Sequence, residues 1–202
     1  MNNIVILISG SGTNMESLIT KSRAHDLDVR FTVICDNPAA SGISRARKLG
    51  VETIVADRFS KSPYMNSEDE RILMDLLARI KPDFILLAGF MRIVSTGIIE
   101  HYKHRIVNIH PSLLPSFKGR DAQKQAFDYG VKVSGCTVHF IDSGVDTGPV
   151  IMQECVDISG ILSHEEVREK ILEREHALYF KALRLLLSGN YTIEGRRVII
   201  DD

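Results

Sequence analysis

The chain has 202 residues, 44% apolar and 25% charged, with a formal net charge of −1. That length suits one domain with its own core, and the charge balance excludes a bulk basic surface for nucleic acid. Three cysteines, Cys35, Cys136 and Cys155, with no C-x-x-C pair, argue against a disulfide framework or structural zinc and predict reduced thiols in a cytoplasmic protein. The first apolar run, Ile4 to Ile8, is too short to span a membrane, and no targeting pattern is expected before it.

In chain order, Ile4 to Ile8 reads as a strand buried on both faces. A glycine-containing loop follows, then a helix from about Met15 to Ser22. Val29 to Cys35 is the next strand, Ile43 to Leu49 the next helix, with Gly50 as its stop. Val51 to Val55 is a third strand. Ser67 to Ile80 is a helix with Ile72, Leu73, Leu76, Leu77 and Ile80 on one side, and Pro82 prevents its continuation. Phe84 to Leu87 and Ile106 to His110 are strands, and Val133 to Ile141 with Val150 to Val156 form a later pair joined by a Gly-rich loop. Ser163 and Glu166 make an S-x-x-E box opening the last long helix, Gly189 ends it, and Arg196 to Ile200 is a short final strand. Repeated β-α units predict an α/β fold: a mostly parallel, doubly wound, Rossmann-like sheet with helices on both faces. Ligands then bind at the carboxyl ends of the strands.

Gly10-x-Gly12 lies where a strand turns into a helix, and a helix start offers unpaired N–H groups to an anion. Two readings stay open for this loop alone: a phosphate held by Gly12, Thr13 and Asn14, or a tight turn with no ligand. A dinucleotide fingerprint wants a glycine where Met15 stands, although Asp36 is placed as a ribose-binding acid would be.

Asn108 and His110 alternate along one strand and share a face, about 6.6 Å apart, with His110 at the carboxyl tip before Pro111. Burying either group unpartnered would cost about 1–3 kcal/mol. An amide donor beside an imidazole can polarise a carbonyl and stabilise an oxyanion, which makes the pair a catalytic candidate. Downstream, Asp142 and Asp146 lie in a loop between two strands. Either could serve turn chemistry, and an Asp close to His110 could also support its charged form. Glu175 falls on the apolar stripe of Val167, Ile171, Leu178, Ala182 and Leu185, either as a satisfied edge carboxylate or as a contact to a ligand hydroxyl. His139, mid-strand, is expected to be structural first and a site wall second. His101 and His104 form an i,i+3 pair with no cysteine nearby, and no metal is expected there.

Four segments together resemble the folate-dependent formyltransferases: Ser9 to Asn14 (Ser-Gly-Ser-Gly-Thr-Asn), Ala88 to Ile93 (Ala-Gly-Phe-Met-Arg-Ile), Asn108 to Pro115 (Asn-Ile-His-Pro-Ser-Leu-Leu-Pro) and Val145 to Val150 (Val-Asp-Thr-Gly-Pro-Val). The resemblance runs through nearly the whole chain. It implies a single domain over residues 1–202, with a nucleotide-phosphate half of about 1–100 and a folate and catalytic half of about 101–202. It implies 10-formyltetrahydrofolate as co-substrate, the amine of glycinamide ribonucleotide as acceptor, and no metal. In such enzymes the amine attacks the formyl carbon directly. Asn108, His110 and Asp146 would be catalytic; Gly12, Thr13 and Asn14 would hold the phosphate, and Glu175 the ribose hydroxyls. Met91, Arg92, Ile93, Val94, Asn108 and Asp142 would bind folate, with Lys61 as the basic residue before the helix at Ser67. The implied partners are small molecules only, with no nucleic acid or membrane, in a monomer or homodimer.

Rival members of the family are a methionyl-tRNA formyltransferase, which carries a further carboxyl-terminal domain, and a formyltetrahydrofolate hydrolase, which carries an extra amino-terminal one. Neither the further domain and RNA-binding charge of the first nor, with the first strand read from Ile4, the extra domain of the second is expected in this chain. A nicotinamide-binding oxidoreductase domain would use Gly10, Gly12 and Asp36 but leaves Asn108, His110 and Asp146 without a role. A non-catalytic binding module would not need His110.

Overall fold

The computed structural model describes residues 1–201 and divides into two compact units, one from Met1 to Val107 and one beginning at Asn108. The first contains β1 (Asn2–Ile8), α1 (Thr13–Ala24), β2 (Val29–Cys35), α2 (Ser41–Lys48), β3 (Glu52–Val55), α3 (Ser67–Ile80), β4 (Phe84–Leu87) and α4 (Thr96–His101). Its strands lie in the order β3-β2-β1-β4 and every pair is parallel. The residues from Ile4 to Ile8 are almost wholly buried, as an unbroken apolar run in a sheet covered on both faces requires. The chain steps outward from β1 through β2 to β3, then returns to the other side of β1 at β4. Right-handed crossovers therefore put α1 and α2 on one face and α3 on the other, and α1 packs on α2 while α3 packs on α4.

Strand order reverses between β1 and β4, which is where an open sheet of this kind forms its binding crevice. The loops leaving these two strands are tied together there. The Ser9 N–H donates to the Gly89 carbonyl at 3.1 Å, and the Met91 N–H donates to Ser9 Oγ at 2.9 Å.

β5 (Ile106–His110) carries the chain into the second unit, which contains α5 (Ala122–Tyr129), β6 (Val133–Phe140), β7 (Val150–Asp157), α6 (His164–Ser188), β8 (Tyr191–Glu194) and β9 (Arg197–Ile200). β6 and β7 are antiparallel, β9 lies parallel to β7 at Val150 and Arg197, and β8 and β9 form a hairpin. The α/β, mostly parallel class expected from the sequence is the one observed, with the antiparallel pairs confined to this unit. α6 packs on α5, β6 and β7, and Val167, Ile171, Leu178 and Ala182 are buried as the stripe predicts. Its start is capped by Ser163, whose Oγ accepts the Glu166 N–H at 3.2 Å, and Gly189 ends it at φ 71°.

Several boundaries differ from the sequence reading. β1 begins at Asn2, because Asn2 and Asn3 pair with Val29 and Arg30 despite being polar. α1 begins at Thr13 directly after Gly12, and α2 at Ser41. α3 opens on an unforeseen reciprocal cap, in which Asn66 and Asp69 each accept the other's backbone N–H. α4 has six residues and ends at His101, near the helix end expected beside His101 and His104; α5, which buries only Ala122 and Ala126, was not foreseen because it displays no full apolar period. The last strand is the second arm of a hairpin whose first arm, Tyr191–Glu194, was missed. Among the described residues no helix is long and apolar enough to cross a membrane.

Candidate active site

The second unit assembles its polar cluster from β5 outward. Asn108 and His110 lie two residues apart on β5 and share a face. His110 is 4% exposed. Its Nε2 lies 2.8 Å from the Phe117 carbonyl, and because a carbonyl only accepts, Nε2 carries a proton and donates. The segment from Ser112 to Phe117 that presents this carbonyl contains a cis Leu114–Pro115 bond. It is fastened to β6 and β7: the Leu114 N–H donates to Thr137 Oγ1 at 3.1 Å, Thr137 Oγ1 donates to the Ser112 carbonyl at 2.7 Å, and Gln153 Nε2 donates to the Leu114 carbonyl at 2.9 Å. Thr137 and Gln153 are cross-strand partners. Sequence reasoning missed both, although each is a polar residue inside a strand and therefore a legible signal.

The loop between β6 and β7 brings Asp146 to the other ring nitrogen. Asp146 Oδ2 lies 3.4 Å from His110 Nδ1 and accepts the Gly119 N–H at 2.8 Å. Asp146 holds φ at 50°, a left-handed conformation that Asp and Asn tolerate better than most residues and that recurs at functional sites. Asp142 serves the turn reading: its Oδ1 accepts from the Gly144 N–H at 3.1 Å and from Thr147 Oγ1 at 2.6 Å.

His139, expected to be structural first, stands inside the cluster. It is fully buried in β6, on the same strand face as Thr137. Its Nδ1 faces the Phe140 carbonyl at 2.9 Å and so donates. Burial pushes its pKa below the usual histidine value, outweighing the Phe140 hydrogen bond and the carboxylate of Asp146, which act the other way. The ring is then neutral and its Nε2 accepts from Asn108 Nδ2 at 3.3 Å. This contact orients the Asn108 amide, with its nitrogen toward His139. His139 Nε2 is also 3.8 Å from Asp146 Oδ1, beyond direct hydrogen bonding.

Because the folded pKa of His139 is depressed, the unfolded chain binds its proton more readily. The corresponding stability is complete above the ordinary value of 6.5 and is lost as pH falls through the folded value. Melting temperature should therefore decline below pH 6.5, and His139→Gln should flatten that decline in scans from neutral to acid pH. An unchanged slope in the variant would show that His139 does not supply it.

The other expected residues are placed as follows. In the first unit, Gly12 is the N-cap of α1 at φ 71°, with no side-chain cap. A Cβ there would lie 2.9 Å from Met15 Cε and 3.0 Å from the Gly42 Cα. Glycine is therefore required by the turn itself, and the first-turn amides of α1 are left uncovered by any capping side chain. Thr13 is half-buried and Asn14 buried. Met91 and Ile93 point outward, 56% and 38% exposed, whereas Val94 is buried. The Arg92 side chain is also turned inward. It meets Asp36 Oδ2 at 2.6 Å, Asp69 Oδ2 at 3.7 Å, the Ser62 carbonyl at 2.8 Å and the Ser60 carbonyl, and it lies over the Phe59 ring at 5.2 Å. Its guanidinium is thus bound within the unit, so only the backbone of residue 92 faces outward chemistry. Asp36 is the partner of Arg92, not a ribose-binding acid, and the nicotinamide reading loses its second anchor. Lys61 is exposed in the loop between β3 and α3. In the second unit, Glu175 is 5% exposed on the core side of α6. Together with burial, which acts first, Glu175 pushes the thiol of Cys136 up to about 12. Cys35 and Cys136 are buried and Cys155 is exposed, all free. Among the described residues no group of His, Cys, Asp and Glu is arranged to hold a metal ion.

The profile described as formyl transferase matches residues 2–183. The phosphoribosylglycinamide formyltransferase of Bacillus subtilis (strain 168) is 35% identical over 192 residues, covering 94% of this chain and 97% of that protein. The trifunctional purine biosynthetic protein adenosine-3 of Bos taurus is 37% identical over 188 residues and covers 92% of this chain, which spans 18% of that longer protein. The crystal structure of glycinamide ribonucleotide transformylase 1 from Symbiobacterium toebii is similar with a TM-score of 0.92 at 42% identity, covering 100% of this chain and 95% of that one. Carrying the family profile across both units and similar over nearly its whole length to proteins of that name, the chain belongs to the formyl transferase family.

Proposed function

We propose that the chain transfers the formyl group of 10-formyltetrahydrofolate to the primary amine of glycinamide ribonucleotide, a step of purine synthesis. The observation that carries this reading is the convergence of Asn108, His110 and Asp146, with His110 Nδ1 facing the Asp146 carboxylate at 3.4 Å. The names of the most similar proteins support the choice of acceptor.

The amine nitrogen forms a bond to the formyl carbon, and the bond from that carbon to the folate nitrogen breaks. In between, the formyl oxygen carries negative charge. One Asn108 N–H is held by His139; the other is assigned to donate to that oxygen. His110, supported as a cation by Asp146, acts as general acid toward it. The proton released by the attacking amine is taken up by Asp146, through water, and passed on to the folate nitrogen as it leaves, while the proton shared with the formyl oxygen returns to His110 as the carbonyl re-forms. The nucleophile is already an amine and the donor already activated, so these residues suffice for the proton transfers.

For binding, the uncapped first turn of α1 suits a phosphate, with Gly12, Thr13 and Asn14 around it. Glu175 is assigned to the ribose hydroxyls. The backbone of Met91 to Val94 with the exposed side chains of Met91 and Ile93 is assigned to the folate heterocycle, together with Asn108 and Asp142; Lys61 is assigned to the folate's acidic end. The enzyme acts on small molecules, as a monomer or homodimer in the cytoplasm.

The test is direct. Purified protein is mixed with glycinamide ribonucleotide and a formylfolate donor, and loss of the formyl group is followed optically. Turnover is expected only when the amine acceptor is present. Donor consumption without acceptor would make the protein a hydrolase, and no turnover with either would remove the transferase reading.

A further inference from the structure

We propose that the C-terminal hairpin β8–β9 positions the loop that carries Asp146, with Arg196 as its positioning residue. The inference rests on the role given to Asp146 above. It concerns a segment beyond residues 2–183, the part that the family profile matches.

Two contacts tie the hairpin to residues next to the cluster. At its turn, Arg196 Nη2 donates to the Thr147 carbonyl at 2.6 Å. Thr147 follows Asp146 directly, and its own hydroxyl donates to Asp142 at 2.6 Å. At the hairpin's start, the Tyr191 ring lies 6.1 Å from the Phe140 ring. Phe140 follows His139 directly and supplies the carbonyl that fixes the His139 ring. One short hairpin therefore touches the immediate neighbours of both Asp146 and His139.

The loop needs an outside anchor where Arg196 provides one. Its base is closed by the Phe140 N–H donating to the Pro149 carbonyl at 2.9 Å. Gly148 fits tightly there, since a Cβ would come within 1.8 Å of the Phe140 carbonyl oxygen. Farther out, Ser143, Gly144 and Val145 are exposed, and Asp146 is held in a left-handed conformation. A carbonyl fixed immediately after that residue restricts the rotation that would swing its carboxylate away from His110. Arginine suits the task because its planar guanidinium is always charged and offers several donors. Pairing of Val150 with Arg197 holds the hairpin itself in register beside β7.

The experiment compares Arg196→Met and Arg196→Lys with Asp146→Asn and the unaltered protein, in the acceptor-dependent assay and by thermal melting. Arg196 is exposed and Thr147 half-buried, so removing the arginine empties no core position. Arg196→Met is expected to lower kcat about tenfold with KM for both substrates within about twofold, since it disturbs the alignment of a reacting group but not binding. Its melting temperature should stay within about 2 °C, and Arg196→Lys should recover part of the turnover through a single donor. An unchanged kcat in Arg196→Met, with Asp146→Asn inactive, would overturn the positioning role and leave the function intact. A loss of kcat matched by a fall in melting temperature and unrelieved by lysine would also overturn it, as a structural effect. Full activity in Asp146→Asn would remove the underlying assignment and the inference with it.

Discussion

Replacing Asp146 with asparagine is expected to lower turnover by about 10²–10⁴-fold, the range for loss of a group active in proton transfer, while the fold is kept. The two halves of this expectation have separate physical causes. Asparagine has nearly the same shape and keeps an oxygen that can accept the Gly119 N–H now 2.8 Å away. It also tolerates the left-handed backbone, φ 50°, that Asp146 adopts. What it lacks is the negative charge facing His110 Nδ1 at 3.4 Å and the capacity to take up a proton. Steady-state rates set beside the melting temperature decide the matter. If activity and stability decline together, Asp146 is part of the scaffold and the proton-transfer scheme fails.

The second large effect is expected on stability. Arg92→Ala should cost about 3–5 kcal/mol, because removing one member of a buried ion pair leaves its partners charged and uncompensated. Arg92 and Asp36 have side chains 8% exposed, and Asp69 only 1%. Burial alone would raise the pKa of Asp69; hydrogen bonds from Ser60 and Asn66 and the charge of Arg92 outweigh it and hold the carboxyl below its usual range. The stability from Asp69 is thus complete above the ordinary value of 3.8 and is lost as pH falls through the folded value. Urea unfolding measures the loss, and Arg92→Lys should recover only part of it, since an ammonium cannot span Asp36 and the carbonyls of Ser60 and Ser62 together. The same change should raise KM for the folate donor, because Arg92 ties residues 91–94 to the loop at 60–62. A loss under about 1 kcal/mol would show that the cluster, though buried, contributes little.

Elements set by local pattern were legible to the residue. Val29–Cys35, Phe84–Leu87 and Ile106–His110 are observed with the bounds read from their apolar runs, and Ser67–Ile80 with those read from its period and Pro82. Short elements with little buried surface, such as α5 and β8, carry too few apolar positions to announce themselves. Among site residues, strand alternation placed Asn108 and His110 on one face. The same logic left His139 ambiguous, because a buried histidine in a strand has the same local signature whether it serves packing or orients a neighbour.

By itself the sequence determined the α/β class, the shared face of Asn108 and His110, and the family to which those motifs belong. Periodicity, turn residues and contiguous motifs act over a few positions and are written directly in the chain. Tertiary structure alone decided which distant polar groups meet. Asp36 pairs with Arg92 across 56 residues, His139 orients Asn108 across 31, and Asp146 reaches His110 only because the β6–β7 loop turns back to β5. A carboxylate or imidazole has no direction in a sequence; its partner is chosen by which strands lie side by side and by the penalty for leaving either group buried alone.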